Sequence, residues 1–161
     1  MTERVDFYVL KSSAAPQRLA FACRLTEKAY LRDLRIVIVN DTLADAQALD
    51  ELLWTFNDRC FIPHQVCLDE NSVDPETKVH LTLDPGVIPA ADLLVNLGGR
   101  LPAQWDKYPR IAEIVDADEE RRRLGRERFK SYRESKVTMD THQLDINAVQ
   151  AAVQEPSQDH G

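Results

Sequence analysis

Runs of apolar residues punctuate the chain at near-regular intervals, and most are too short for anything but strands. Residues 5–10 (VDFYVL) read as a buried strand. Residues 35–40 (RIVIVN) are β-branched and almost wholly apolar, as expected of a strand covered on both faces in a parallel sheet. Residues 92–97 (DLLVNL), halted by Gly98 and Gly99, and residues 110–115 (RIAEIV) repeat the signal. Between these runs the apolar spacing changes to three and four. From Gln17 to Arg32 the residues Leu19, Phe21, Cys23, Leu25, Ala29 and Tyr30 make a broad helical face, with Pro16 suited to a first-turn position. Leu43, Ala46, Leu49, Leu52 and Leu53 carry a second helix to Trp54, with Asp41 or Thr42 as its cap.

The middle of the chain is weaker. Residues 65–68 and 79–83 read as short strands, with a turn over residues 71–76. Asp116 or Asp118 opens a long polar helix that ends near Glu134, its acids placed where the helix dipole favours them. Residues 137–144 read as an edge strand. The predicted fold is therefore α/β: an open, mostly parallel, Rossmann-like sheet with helices on both faces and right-handed crossovers. Residues 1–144 form one domain, and 145–161 read as a polar, disordered tail.

Charge changes the picture only locally. The 161 residues carry 20 Lys plus Arg against 27 Asp plus Glu, a formal charge of −7, which disfavours general attraction to a nucleic-acid backbone. Nothing in the chain has the length of a membrane span, and the first residues carry no apolar leader signal, so a cytoplasmic protein is expected. The three cysteines, Cys23, Cys60 and Cys67, suit reduced thiols.

Catalytic chemistry is hard to place. The turn after the first strand, residues 11–16 (KSSAAP), has no glycine, so it offers no phosphate-binding glycine loop, and no P-loop lysine motif occurs. A nucleotide-binding enzyme on the same fold is the alternative reading. Cys60, His64, Cys67 and His80 are close enough to suggest zinc, but their spacing is not that of a paired Cys-x2-Cys site. The plainer assignment makes Cys60 and Cys67 small core residues and His64 a surface or turn residue. No serine lies in a nucleophile elbow. No catalytic residue, metal or cofactor is assigned.

Two features stand out. Trp54 and Phe56 end a helix, and Phe61, Ile62 and Pro63 follow in a polar loop. These apolar groups either pack back on the domain or anchor a partner. The second is the polar helix. At about 100° per residue, Arg122, Arg126, Phe129, Lys130 and Arg133 fall within an arc of about 100°. This basic stripe with an aromatic inside is either a solvated face paired with Asp118, Glu119, Glu120 and Glu127, or a docking site for an acidic ligand carrying an apolar group.

The blocks FYVL (7–10), ACRLTEKAY (22–30), LDELLW (49–54), FIPH (61–64), LVNL (94–97), EIVD (113–116) and GRERFKSYR (125–133) occur in an order that resembles the chi subunits of bacterial DNA polymerase III holoenzyme. The likeness runs from about residue 4 to residue 144. It implies a Rossmann-like, non-enzymatic component of the clamp-loader complex. It further implies two partners, the psi subunit and the acidic C-terminal tail of the single-stranded DNA-binding protein. By resemblance the tail meets Arg126, Phe129 and Lys130, with Tyr132 and Arg133 nearby, and psi meets Trp54, Phe61, Ile62 and Pro63. Family members often carry tyrosine where Phe129 stands, which keeps the apolar wall and adds a hydroxyl.

Overall fold

The computed structural model describes residues 1–57, 59 and 61–145. Its elements are β1 (Arg4–Leu10), α1 (Ala15–Leu31), β2 (Ile36–Val39), α2 (Leu43–Thr55), β3 (His64–Val66), β4 (Val79–Thr82), β5 (Leu93–Asn96), β6 (Arg110–Val115), α3 (Glu119–Glu134) and β7 (Thr138–Leu144). Short 3-10 turns at Glu70–Ser72, Pro85–Val87 and Trp105–Lys107 link the middle strands. The seven strands form one sheet in the order β3-β4-β2-β5-β6-β1-β7. Every pairing is parallel, so the expected open α/β sheet is present.

The chain travels across the sheet in two directions. From β1 through α1 to β2, and through α2 to β3, it moves one way; from β3 to β7 it returns. Right-handed crossovers therefore place α1 and α2 on one face and α3 on the other. Two cores result. Phe21, Cys23, Leu49, Leu53, Ile38, Val95 and Ile114 belong to the first. Phe7, Val37, Leu94, Ile111, Val115 and Tyr132 belong to the second, against which Phe129 packs. The central strands β2, β4 and β5 are buried at every position, which explains the apolar run of β2 and the largely apolar β5, while β4 also buries His80 and Thr82.

Local chemistry sets the ends. The Thr42 hydroxyl, rather than Asp41, accepts the Asp45 amide and caps α2. Asp118 caps α3 by accepting the Arg121 amide, and Asp116 is freed for an ion pair with Arg121. β7 is an edge strand, half-exposed throughout, as its sequence predicts. His64 departs from expectation. It starts β3 and is buried, its ring bridging the Ile62 and Asp50 carbonyls at 2.6 and 3.0 Å. Cys23 is buried, and burial pushes its thiol pKa up to about 12; Cys67 is also buried, while Cys60 lies outside the described residues. The tail expectation for residues 146–161 likewise falls outside them.

Candidate functional site: a cationic groove beside the last helix

α3 owes its orientation to a charge in an apolar strand. Glu113 sits in β6, fully buried. Its carboxylate accepts from Arg128 Nε at 2.9 Å, the Tyr132 hydroxyl at 2.7 Å and the Asn96 side-chain amide at 3.0 Å. Burial pushes the Glu113 carboxyl up, and the Arg128 charge opposes that push. Arg128 also donates to the Gly99 carbonyl at 2.9 Å. Gly125 lets the helix approach the sheet, since a Cβ there would lie 3.1 Å from a Val115 methyl. Gly125, Arg128 and Tyr132 thus define the inward line of α3. Its neighbouring line, one step around the helix, is the basic stripe.

The stripe borders a groove of about 290 Å3 between α3 and strands β1, β6 and β7. Arg122, Arg126 and Phe129 supply the helix side, Phe7, Val9 and Val115 the floor, and Thr141 and Gln143 the far wall. Phe129 meets Phe7 edge-to-face at 5.3 Å between ring centres, which holds one aromatic edge in place and leaves Phe129 half-buried.

The local arginines divide their labour. Arg121 is bidentate on Asp116, and Arg123 pairs with Glu120 and Glu127. Arg122 donates only to backbone, at the Asp116 and Leu10 carbonyls. Arg126 and Lys130 are exposed, and neither side chain has a hydrogen bond or ion pair among the described residues. Arg133 lies over the Phe129 ring at 5.9 Å. Pairing with the helix acids thus engages Arg123, outside the stripe, and among the described residues not Arg126 or Lys130, which face solvent.

The expected positions are only partly brought together. Arg126 and Phe129 share the groove; Lys130 and Arg133 are exposed and do not line it, although Arg133 lies over the Phe129 ring. Tyr132 is a correction: it lies one third of a turn inward and is wholly enclosed, its hydroxyl spent on Glu113. The far wall from β7 was not foreseen, because a half-polar edge strand carries no local sign of which helix it will face. The Glu113–Arg128 pair did leave a sign: an acid inside an otherwise apolar strand needs a buried partner.

The second expected surface splits in the same way. Trp54 is 46% exposed and Phe61 67%, with ring centres 5.2 Å apart. Trp54 also lies 4.1 Å from the His64 ring, so the two aromatics form a supported corner. Pro63 is half-buried, but Ile62 is enclosed in the first core and faces no partner. This corrects its place in the surface: in FIPH the alternating residues turn opposite ways, and Ile62 turns inward.

A third concavity, about 370 Å3, lies beyond the ends of β2, β4 and β5, where an open α/β sheet commonly takes its ligand. Here the amides are engaged by the chain itself. The Gly99 amide donates to both Asp41 carboxylate oxygens at 3.0 Å, and the Gly98 amide donates to Asn96 Oδ1 at 2.9 Å. A carboxylate stands where a phosphate would need to accept. No group of metal-ligating side chains occurs among the described residues, and none of their helices is long and apolar enough to cross a membrane.

Comparison with known proteins separates fold from family. The fold is shared with the C-terminal domain of the DEAD-box protein Dbp5, with a TM-score of 0.59 at 12% identity, covering 94% of this chain and 96% of that one. It is also shared with the second helicase domain of Mss116p, with a TM-score of 0.52 at 14% identity over 95% of this chain and 70% of that one. At such identities the likeness is one of fold alone. In sequence, the chain is 35% identical to a Pseudomonas aeruginosa protein named DNA polymerase III subunit chi, over 88% of this chain and 96% of that protein. It is 25% identical to the protein of the same name from Haemophilus influenzae, over 83% of this chain and 92% of that protein. The family model for DNA polymerase III chi subunit, HolC, matches residues 1–140, and with the basic helix and the aromatic corner inside that span, the chain belongs to the DNA polymerase III chi subunit family.

Proposed function

We propose that this chi-family chain is a non-catalytic, cytoplasmic adaptor of the clamp-loader complex. It binds the acidic C-terminal tail of the single-stranded DNA-binding protein in the α3 groove and psi at the Trp54–Phe61 corner. It thereby links the replicase to coated single-stranded DNA. One observation carries this reading. Among the described residues, Arg126 meets no acid and lines the same groove as Phe129, beside Arg122, whose only acceptors are carbonyls.

The chemistry follows from the parts. A tail ending in an apolar side chain and a carboxylate needs an anion fork beside an apolar slot. Arg122 and Arg126 offer guanidinium donors to the carboxylates. Lys130 adds an exposed charge outside the lining. Phe129, Phe7, Val9 and Val115 receive the apolar side chain. Burying that side chain contributes about 1.5–3 kcal/mol. Each exposed ionic contact adds about 0–1 kcal/mol. After the cost of association, a micromolar affinity of roughly −8 kcal/mol is expected. Binding should weaken as salt screens the exposed contacts.

The test is a titration of a labelled peptide bearing the C-terminus of the single-stranded DNA-binding protein. Arg126→Ala should weaken binding by up to about fivefold, and Lys130→Glu, which replaces attraction by repulsion, by somewhat more, while circular dichroism stays native. Unchanged binding by a folded Lys130→Glu chain refutes the assignment. At the other surface, Phe61→Ala should reduce co-purification of psi and leave tail binding intact; if psi is retained in full, that loop is structural.

A further inference from the structure

On the face opposite α3, a second groove of about 340 Å3 runs between α1 and strands β6, β1 and β7. Its helical wall is cationic. Arg24 and Lys28, four residues apart, lie about 6 Å from each other along one side of α1, and Arg32, the residue that caps its C-terminal end, extends the wall by a further four-residue step. Arg110 enters from β6. The floor is apolar, made by Phe21, Leu25, Ala112 and Leu144 among others.

The acids near this groove are already matched. Asp6 accepts from His142 at 2.9 Å, Arg4 at 3.0 Å and Arg110 at 3.4 Å. Burial alone would push its carboxyl up, but the His142 and Arg4 hydrogen bonds outweigh burial and hold it below the usual carboxylate range. Glu27 takes Arg24 on one oxygen and Asn57 on the other, both at 2.7 Å. Two of the four cations are not matched in return. Lys28 and Arg32 are exposed, and their side chains have no hydrogen bond or ion pair among the described residues. Arg24 is only 6% exposed, yet its Nε has no acceptor. A buried donor left without a partner is costly, and such positions are uncommon in folded proteins. In a chain of net charge −7, this wall is a concentrated exception.

We infer that the α1 groove is a second docking site, for an extended acidic peptide of another protein in which carboxylates alternate with aliphatic side chains. In an extended strand every second side chain points the same way and lies about 6.6 Å further along. That repeat matches the spacing of Arg24 and Lys28. Carboxylates at alternate positions meet the helix wall, and the residues between them turn to the apolar floor. A single-stranded nucleic acid fits less well. It needs free ring faces for its bases. Here Tyr8 is stacked on His142 at 4.8 Å with 16° between planes, and the buried Phe21 ring leans on Tyr8 at 5.1 Å. The groove shares no lining residue with the α3 groove, so the two sites are separable.

The test uses the full chain and a fluorescein-labelled peptide, Asp-Leu-Asp-Leu-Asp-Leu-Asp, amidated at its C-terminus. The α3 groove is disabled first with Arg126→Glu. That chain should still bind the peptide, and adding Lys28→Glu with Arg32→Glu should weaken binding about tenfold or more. In the unmutated chain, 15N amide shifts at Lys28, Arg32 and Tyr8 should move on titration. Absence of binding to the Arg126→Glu chain, or no response to the double charge reversal, overturns the proposal. So does tighter binding of oligothymidine than of the peptide with shifts at the same amides, which would assign the groove to nucleic acid. Concentration-dependent dimerisation broken by the double reversal overturns it in favour of a second copy. Because Arg126→Glu alone tests the α3 groove, either site can fail without the other.

Discussion

The crevice beyond β2, β4 and β5 and the groove beside α3 are both concave and both polar in part, yet they differ in how their charges are spent. In the crevice, Asp41 is held by the Gly99 amide and the Gly98 amide by Asn96. In the groove, Arg126 has no acceptor and Arg122 has only carbonyls among the described residues. Where such a fold commonly takes its ligand, Asp41 and Asn96 occupy the glycine amides, although the exposed Arg100 at the rim has no side-chain partner among the described residues; the groove instead sets Arg126 beside an apolar floor.

The steepest way to break this contrast is to remove its foundation. Glu113→Ala leaves Arg128 buried without its acid, and urea unfolding should register a loss of about 3–5 kcal/mol. Tyr132→Phe deletes one donor from the same network, with a smaller loss of about 1–2 kcal/mol by the same measurement. A loss as large as that of Glu113→Ala would mean that the hydroxyl, not the ion pair, fixes α3.

Next comes the apolar half of the groove. Phe129→Ala should weaken tail-peptide binding about tenfold to a hundredfold in anisotropy titrations, from loss of an anchor contributing about 1.5–3 kcal/mol. Phe129→Tyr should stay within about threefold, because the wall is kept. If both variants bind alike and weakly, the slot is not where the apolar side chain sits.

Smaller still is the effect expected at the crevice. Asp41→Ala frees the Gly99 amide and should lower stability by about 1 kcal/mol in thermal unfolding. ATP should not raise the melting temperature of the unmutated chain. A clear rise would reopen the nucleotide-enzyme alternative and erase the contrast. The smallest effect is in acid. Asp6 and Asp116 both have carboxyls held low, against the pull of burial, by His142 and Arg4 in one case and Arg121 in the other. Their stabilisation is complete above the unfolded carboxylate value of about 3.9 and is lost as pH falls below it. Asp6→Asn should flatten the acid limb of a stability-against-pH curve; an unchanged limb would leave the Asp6 cluster without a role in acid unfolding.

Much of the architecture could be read from the chain. The apolar run of β2 and the largely apolar β5 announce strands covered on both sides, and β6 and α3 fall where their residues predict. The site was legible in half. Helical spacing puts Arg122, Arg126 and Phe129 on one stripe because a helix repeats locally. It gives no warning that Tyr132, three residues after Phe129, turns onto Glu113, nor that Ile62 turns into the first core between exposed Phe61 and half-buried Pro63.

Local periodicity and charge determined the strands, the helices, the basic stripe and the aromatic corner, since each depends on residues within a few turns of one another. Only the tertiary structure decided which of those charges remain unspent. Arg128 meets an acid 15 residues away, Asp6 meets a histidine 136 residues away, and Thr141 and Gln143 reach the α3 groove from an edge strand. Pairing across such separations depends on the order of strands in the sheet, and strand order leaves no local imprint on composition or spacing.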